Sequence, residues 1–291
     1  MHSIQWHGWL GLVILVAAEG LLFARQRFVA TWFTPIAWTG YILLADALIL
    51  RKRGSSLLHD RPAEAPLMAL LSILCWLVFE VYNLRLANWA YVGVPAAPLE
   101  RTLGYAWSFA TIFPGIFQTV DLLDAYGIFA RTTHRPFRWK PAQLSASFVA
   151  GLALVSIPVV LPPAIGAYLF GAIWLGFIFL LEPINYRSGA PSIFRELESG
   201  RWARMWQLLA AGLICGLLWE FWNYWAAAKW IYIFPMFQNF KFFEMPVPGF
   251  LGFPPFALEC FAMYALCTWA LHVDRLWRGR RVAVSKPGAA H

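Results

Sequence analysis

Eight apolar runs follow one another along the chain, at roughly 8–24, 32–50, 66–86, 104–129, 144–161, 165–184, 205–226 and 249–272. Each is long enough to cross about 30 Å of hydrocarbon at ~1.5 Å per helical residue. In lipid every backbone polar group has to be satisfied within the protein, so such runs form helices or closed barrels. None shows the alternation of a barrel strand. The sequence therefore predicts an all-α, polytopic helical membrane protein with about eight transmembrane helices. Composition agrees, with 60% hydrophobic and 13% charged residues, against about 25% charged in a soluble domain. The first run has no basic n-region and no convincing small-residue cleavage site after it, so it is expected to span rather than to act as a signal peptide.

The net charge of +8 is explained by topology, not by nucleic acid, because the basic residues flank the apolar runs. One side collects Arg51, Lys52, Arg53, Arg61, Arg131, Arg135, Arg138, Lys140, Arg187, Arg195, Arg201 and Arg204, and then a tail with Arg275, Arg278, Arg280, Arg281 and Lys286. The other side receives Arg25, Arg27, Arg85, Arg101, Lys229 and Lys241. Basic loops stay cytoplasmic, which predicts a multi-pass protein of the cell's inner membrane with both termini cytoplasmic. Trp6, Trp9, Trp139, Trp202 and Trp277 suit aromatic belts at the interfaces.

No metal or cofactor is expected. Cys75, Cys215, Cys260 and Cys267 all lie within apolar runs, and the spacing of the last two is not a zinc pattern. His2, His7, His59, His134, His272 and His291 never stand at i and i+4 within a span.

The chain repeats itself. "CWLVFEVYNLRLANWAYVGVP" (75–95) lies over "CGLLWEFWNYWAAAKWIYIFP" (215–235). Cys75, Glu80, Asn83 and Pro95 match Cys215, Glu220, Asn223 and Pro235 at one offset. Trp89 and Tyr91 match Trp230 and Tyr232 after a slip of one. Phe113-Pro114 matches Phe253-Pro254, and "WTGYILLAD" (38–46) resembles "WLGFIFLLE" (174–182), which sets Asp46 against Glu182. Two four-helix repeats follow, 1–140 and 141–291. With an even number of spans in each, the halves run parallel, about an axis along the membrane normal.

Glu80 and Glu220 fall at equal depth, about two-thirds across their spans, where an ionised group costs roughly 2.5–3.5 kcal/mol. Asn83 and Asn223 stand three residues on, on the same helical faces, placed to orient the acids. Glu259 is a third intramembrane acid, and its repeat partner is Thr119. A carboxyl buried without a cation tends to hold its proton and can act as a general acid. The tryptophans Trp76, Trp219 and Trp222 cluster around these acids, and π faces stabilise cations without offering a nucleophile. Acid, aromatic walls and a lipid-soluble substrate suit proton-initiated rearrangement of an alkene. The same residues also fit interhelical packing and hydrogen bonding, with Glu80 paired to Arg85. Lys229 is expected at the outer interface.

"FEVYNLRLANWAY" (79–91) followed by "APLER" (97–101) resembles the membrane lycopene cyclases of the heterodimeric or fused type. In that family an acid precedes a Trp and an aromatic two residues on, and a Pro-x-Glu-Glu motif opens the next helix. Glu80 takes the acid position, Trp89 and Tyr91 the aromatic pair, and Pro98-Leu99-Glu100 the start of the last motif; Glu220, Trp230 and Tyr232 repeat the theme. Arg101 stands where the motif has its second Glu, and the second half offers Glu244 nearby. Fungal membrane terpene cyclases, with one essential acid in each half, give a looser analogy. The resemblance implies cyclisation or isomerisation of an isoprenoid, with Glu80, Glu220 and Glu259 as acid–base groups. Trp76, Trp89, Trp219, Trp222, Trp230, Tyr232, Glu100 and Glu244 would line the substrate site. The expected partners are the membrane and a lipid-soluble small molecule. A carrier of protons or a small solute, and a non-catalytic lipid-binding subunit of a complex or homo-oligomer, are the alternatives.

Overall fold

The computed structural model describes residues 3–273; the basic tail from Arg275 to Lys286, Trp277, His2 and His291 lie outside the described residues. The chain is mostly helical. In order it forms α1 (Trp6–Phe23), α2 (Arg27–Thr31), α3 (Phe33–Arg53), α4 (Leu57–Asp60), α5 (Glu64–Leu86), β1 (Trp89–Val92), α6 (Pro98–Ala110) and α7 (Ile112–Ala125). Then come α8 (Pro141–Val160), α9 (Pro163–Gly166), α10 (Phe170–Ser188), α11 (Ile193–Glu198) and α12 (Ala203–Trp225). Strands β2 (Lys229–Tyr232), β3 (Lys241–Phe242) and β4 (Met245–Pro246) lead into α13 (Phe253–Ala270). Among the described residues, seven helical stretches are long and apolar enough to cross a membrane: α1, α3, α5, α8, Pro163–Ser188, α12 and Val247–Ala270.

The expected fourth span, 104–129, is not one helix. It breaks at Thr111 into α6 and α7, each too short to qualify. Two residues cause the break. Pro114 has no N–H to offer the preceding turn. Ser72, reaching across from α5, stands in for the missing helical bond between Phe109 and Phe113: its hydroxyl donates to the Phe109 carbonyl at 2.5 Å and accepts the Phe113 N–H at 3.0 Å. Hydropathy registers neither effect, because the residues on both sides of the break, from Tyr105 to Phe117, carry no charge.

Helices α7 and α13 form the centre. Every residue of α7 from Ile112 to Asp121 is buried, as is every residue of α13 from Glu259 to Ala265. They meet through Tyr264, whose ring lies 5.8 Å from Phe113 and 5.2 Å from Phe117. Around them α7 packs on α3 and α12, and α13 on α10 and α12; α1 lies against α3, and α8 against α10. Close backbone approach and hydrogen bonds, which hold helices together even where a hydrophobic drive between them is weak, are both present in the bundle. Gly212 provides the approach of α12 to the start of α13: a Cβ there would lie 2.2 Å from the Phe253 carbonyl oxygen.

Buried carboxylates tie the short surface helices down in two matching places. Asp46 on α3 accepts from the Ser56 hydroxyl at 2.7 Å and the Leu58 N–H at 3.0 Å. Glu182 on α10 accepts from the Ser192 hydroxyl at 2.7 Å and the Phe194 N–H at 3.1 Å. Ser56 and Ser192 are the N-caps of α4 and α11, so each carboxylate grips a capping serine. Asp46 also holds Gln118 of α7 at 2.8 Å and lies 3.2 Å from His7 Nε2.

Candidate functional site

The segments that follow α5 and α12 pair with each other. Strands β1 and β2 form an antiparallel ribbon in which Trp89 faces Tyr232 and Tyr91 faces Trp230. Each pair thus joins the Trp of one "Trp-x-Tyr" to the Tyr of the other. Gly93 makes the exit from β1 feasible: its φ is +67°, and a Cβ would lie 2.0 Å from the Ala227 carbonyl oxygen.

Each asparagine fixes its own strand. Asn83 accepts the Asn88 and Trp89 N–H groups at 2.8 and 3.1 Å and donates to the Trp89 carbonyl at 2.9 Å. Asn223 accepts the Trp230 N–H at 3.0 Å and donates to the Trp230 carbonyl at 2.8 Å. The asparagines therefore act on the glutamates through the strands, which carry the rings that contact the acids.

Each glutamate is held by those rings. Glu80 Oε1 accepts from Tyr91 Oη at 2.6 Å, Trp76 Nε1 at 2.8 Å and Trp89 Nε1 at 3.3 Å. Glu220 Oε1 accepts from Tyr232 Oη at 2.9 Å and Trp230 Nε1 at 3.4 Å. Its Oε2 is buried without a hydrogen bond. Burial first, and then the adjoining glutamate, push both phenols well above their ordinary value, so Tyr91 and Tyr232 stay neutral donors.

A cavity of about 110 Å³ lies under the ribbon. Its wall takes Trp32 and Trp38 from the α2–α3 region, Trp76 from α5, Tyr105 and Phe109 from α6, and Trp174 from α10. Trp219 of α12, Phe253 and Phe256 of α13, and the ribbon's Trp89, Tyr91, Trp230 and Tyr232 complete the aromatic surface. Phe256 sits at a junction, with ring centroids 5.8–6.0 Å from Trp76, Trp174 and Trp219. An engineered apolar cavity of roughly 150 Å³ binds benzene; this one is smaller, the size for a branched end of a longer molecule rather than a whole ring.

Among the residues expected to act on substrate, Trp76, Trp89, Trp219, Trp230 and Tyr232 are on this wall. Glu80 and Glu220 are one layer behind it, joined to it by Tyr91 and Tyr232. Trp222 is buried behind Trp38, edge to face at 5.0 Å. Glu259 is fully buried with both oxygens unbonded and is absent from the wall, although Phe256, one turn earlier, is part of it. Glu100 is exposed in the first turn of α6. Glu244 pairs with Lys229 at 2.6 Å. Lys229 itself is a wall residue, which its place at a span end did not reveal. Trp38 and Trp174 could have been found from sequence, since they occupy matching positions in the "WTGYILLAD" and "WLGFIFLLE" stretches. The described residues contain no cluster of three or more His, Cys, Asp or Glu side chains placed to hold a metal ion. No family model, curated protein or solved structure matches the chain.

Proposed function

We propose that this is a multi-pass membrane protein of two parallel four-helix repeats that takes the apolar end of an isoprenoid or related lipid into the aromatic cavity. There it cyclises or isomerises an alkene by acid–base chemistry. One observation carries this reading: two tyrosines on a largely aromatic wall each bond an intramembrane glutamate behind them. A proton leaving a Glu220–Tyr232 or Glu80–Tyr91 pair adds to one alkene carbon. The facing indoles and phenyl rings stabilise the resulting cation. Loss of a proton from a neighbouring carbon to the other pair restores the charge balance and gives an isomer of unchanged composition. The matching bonds made by Asn83 and Asn223 support the two-repeat layout, and the basic loops on the side of the termini support a cytoplasmic placement of both.

A second reading, a non-catalytic lipid-binding subunit, is favoured by a specific observation. The bonds that Glu80 and Glu220 make go to rings on their own helix or its following strand, as in a purely structural clasp. Mass spectrometry of lipid extracts from cells with and without the gene separates the two. The enzymatic reading expects a lipid isomer present only with the gene. An unchanged lipid profile alongside stable co-purification with a partner would support the subunit.

A further inference from the structure

One loop on the basic side of the molecule combines exposed rings with unopposed charge. Between α7 and α8 the chain reads "YGIFARTTHRPFRWK" (126–140). Arg131, Arg135, Arg138 and Lys140 are all exposed, and none forms an ion pair among the described residues. No acid occurs in the sequence from Ala125 to Leu181. Two carboxylates beside the loop are already engaged, Asp124 with Arg53, and Glu198 with the Trp139 N–H and the Tyr186 hydroxyl.

The same loop holds Tyr126, Ile128, Phe129 and Phe137 at 39–52% exposure. Topology accounts for the charge, but not for these side chains. Backbone bonds fix the loop along the α11–α12 connection. The His134 N–H donates to the Gly200 carbonyl and the Phe137 N–H to the Glu198 carbonyl, both at 3.0 Å, and the Trp202 N–H donates to the Thr132 carbonyl at 3.1 Å. Trp139 anchors the far end, its indole donating to the Phe194 carbonyl at 3.0 Å. The apolar spans set the level of the loop. The Phe129 ring lies 6.3 Å from that of Trp206, which is itself 40% exposed in the first turn of α12, and Lys140 is the N-cap of α8. Exposed rings at the ends of apolar spans, with arginines between them, are the pattern of a segment that lies in a membrane interface.

We propose that this loop is a docking surface for anionic lipids of the cytoplasmic leaflet. Arg131, Arg135, Arg138 and Lys140 bind the headgroup phosphates, and Ile128, Phe129 and Phe137 enter the boundary of the acyl chains. Arginine donates to phosphate oxygens through two parallel N–H groups, and lysine acts as a point charge. A soluble acidic partner would match the charges but leave the rings in water. The inference rests on the reading of the chain as a multi-pass membrane protein with this side cytoplasmic, and not on the chemistry of the cavity.

In the test, the full chain in detergent is equilibrated with equimolar phosphatidylglycerol and phosphatidylcholine of identical acyl chains, and bound lipids are counted by native mass spectrometry. Wild type is expected to retain phosphatidylglycerol about tenfold over phosphatidylcholine at ~50 mM salt, and about twofold at ~500 mM. Arg131→Gln/Arg135→Gln/Arg138→Gln/Lys140→Gln should give about twofold at both salt concentrations. A charge-matched change in the tail, Arg275→Gln/Arg278→Gln/Arg280→Gln/Arg281→Gln, should keep at least about fivefold at the lower one. Phe129→Ser/Phe137→Ser keeps the charge and should lower bound phosphatidylglycerol about threefold. Equal retention of both lipids by wild type, or a preference that the tail change removes and the loop change does not, overturns the proposal. A preference untouched by the phenylalanine changes also overturns it, in favour of a soluble acidic partner. The salt series on wild type needs no variant, so the test holds even where a variant does not fold: a preference that does not fall with salt overturns the proposal. Failure of the membrane reading itself shows separately, as a chain that stays monodisperse without detergent.

Discussion

Replacing Asn223 by alanine tests how the ribbon is held over the cavity. The side chain is fully buried and makes two hydrogen bonds to the backbone of Trp230, at 2.8 and 3.0 Å. Each is worth about 1 kcal/mol net, and a buried backbone group left unpaired costs about 1–3 kcal/mol. Trp230 is only half-buried, so water satisfies part of what is lost. The expected total is about 2–4 kcal/mol. Asn83 makes three such bonds, to the backbone of Asn88 and Trp89, which are only 3% and 6% exposed, so water replaces little of them although the asparagine itself is half-buried. Asn83→Ala should therefore cost at least as much, about 2–4 kcal/mol. In detergent, thermal unfolding followed by the near-ultraviolet circular dichroism of the tryptophans should give a midpoint lowered by about 5–15 °C for each variant. A loss under about 0.5 kcal/mol for either variant would refute the assignment of the ribbon to these bonds.

Three further outcomes follow. Ser72→Ala removes both bonds across the α6–α7 break and should cost about 1–3 kcal/mol in the same melt, whereas a neutral result would mean that Pro114 alone makes the break. Gly212→Ala drives a Cβ into the Phe253 carbonyl and should destabilise by about 2–4 kcal/mol, read as lost monodisperse protein after solubilisation. The phenols of Tyr91 and Tyr232 ionise only well above the ordinary value of 10.0. Their contribution is fully present below that pH and is lost as pH rises beyond it, because the unfolded chain ionises first. The melting midpoint should accordingly fall above about pH 10, less steeply in Tyr91→Phe/Tyr232→Phe, and equal slopes would contradict the burial of these hydroxyls.

The parts of the site that were legible in the sequence are those whose bonds recur. Glu80, Asn83, Trp89 and Tyr91 match Glu220, Asn223, Trp230 and Tyr232 because each set closes the same knot of one helix end and one strand. The pairing of Asp46 with Glu182 has the same origin, each gripping a capping serine. What stayed hidden depends on contacts between segments far apart in the chain. The break at Thr111 needs Ser72 from another helix. The place of Lys229 on the wall stayed hidden because it depends on how β2 folds back against β1. Trp222 and Trp219 could not be told apart by spacing; only packing turns one to the cavity and the other behind Trp38.

The central claim is that the Glu220–Tyr232 pair supplies or removes a proton in the cavity. Glu220→Gln keeps an oxygen to accept from Tyr232 and Trp230, and so retains the fold while removing the titratable proton. The decisive measurement compares lipid extracts, by chromatography and mass spectrometry, from cells producing equal membrane levels of wild type and of this variant. The account predicts an isomer of unchanged mass with the wild type and its absence with Glu220→Gln. The same isomer at the same yield from both proteins would contradict it.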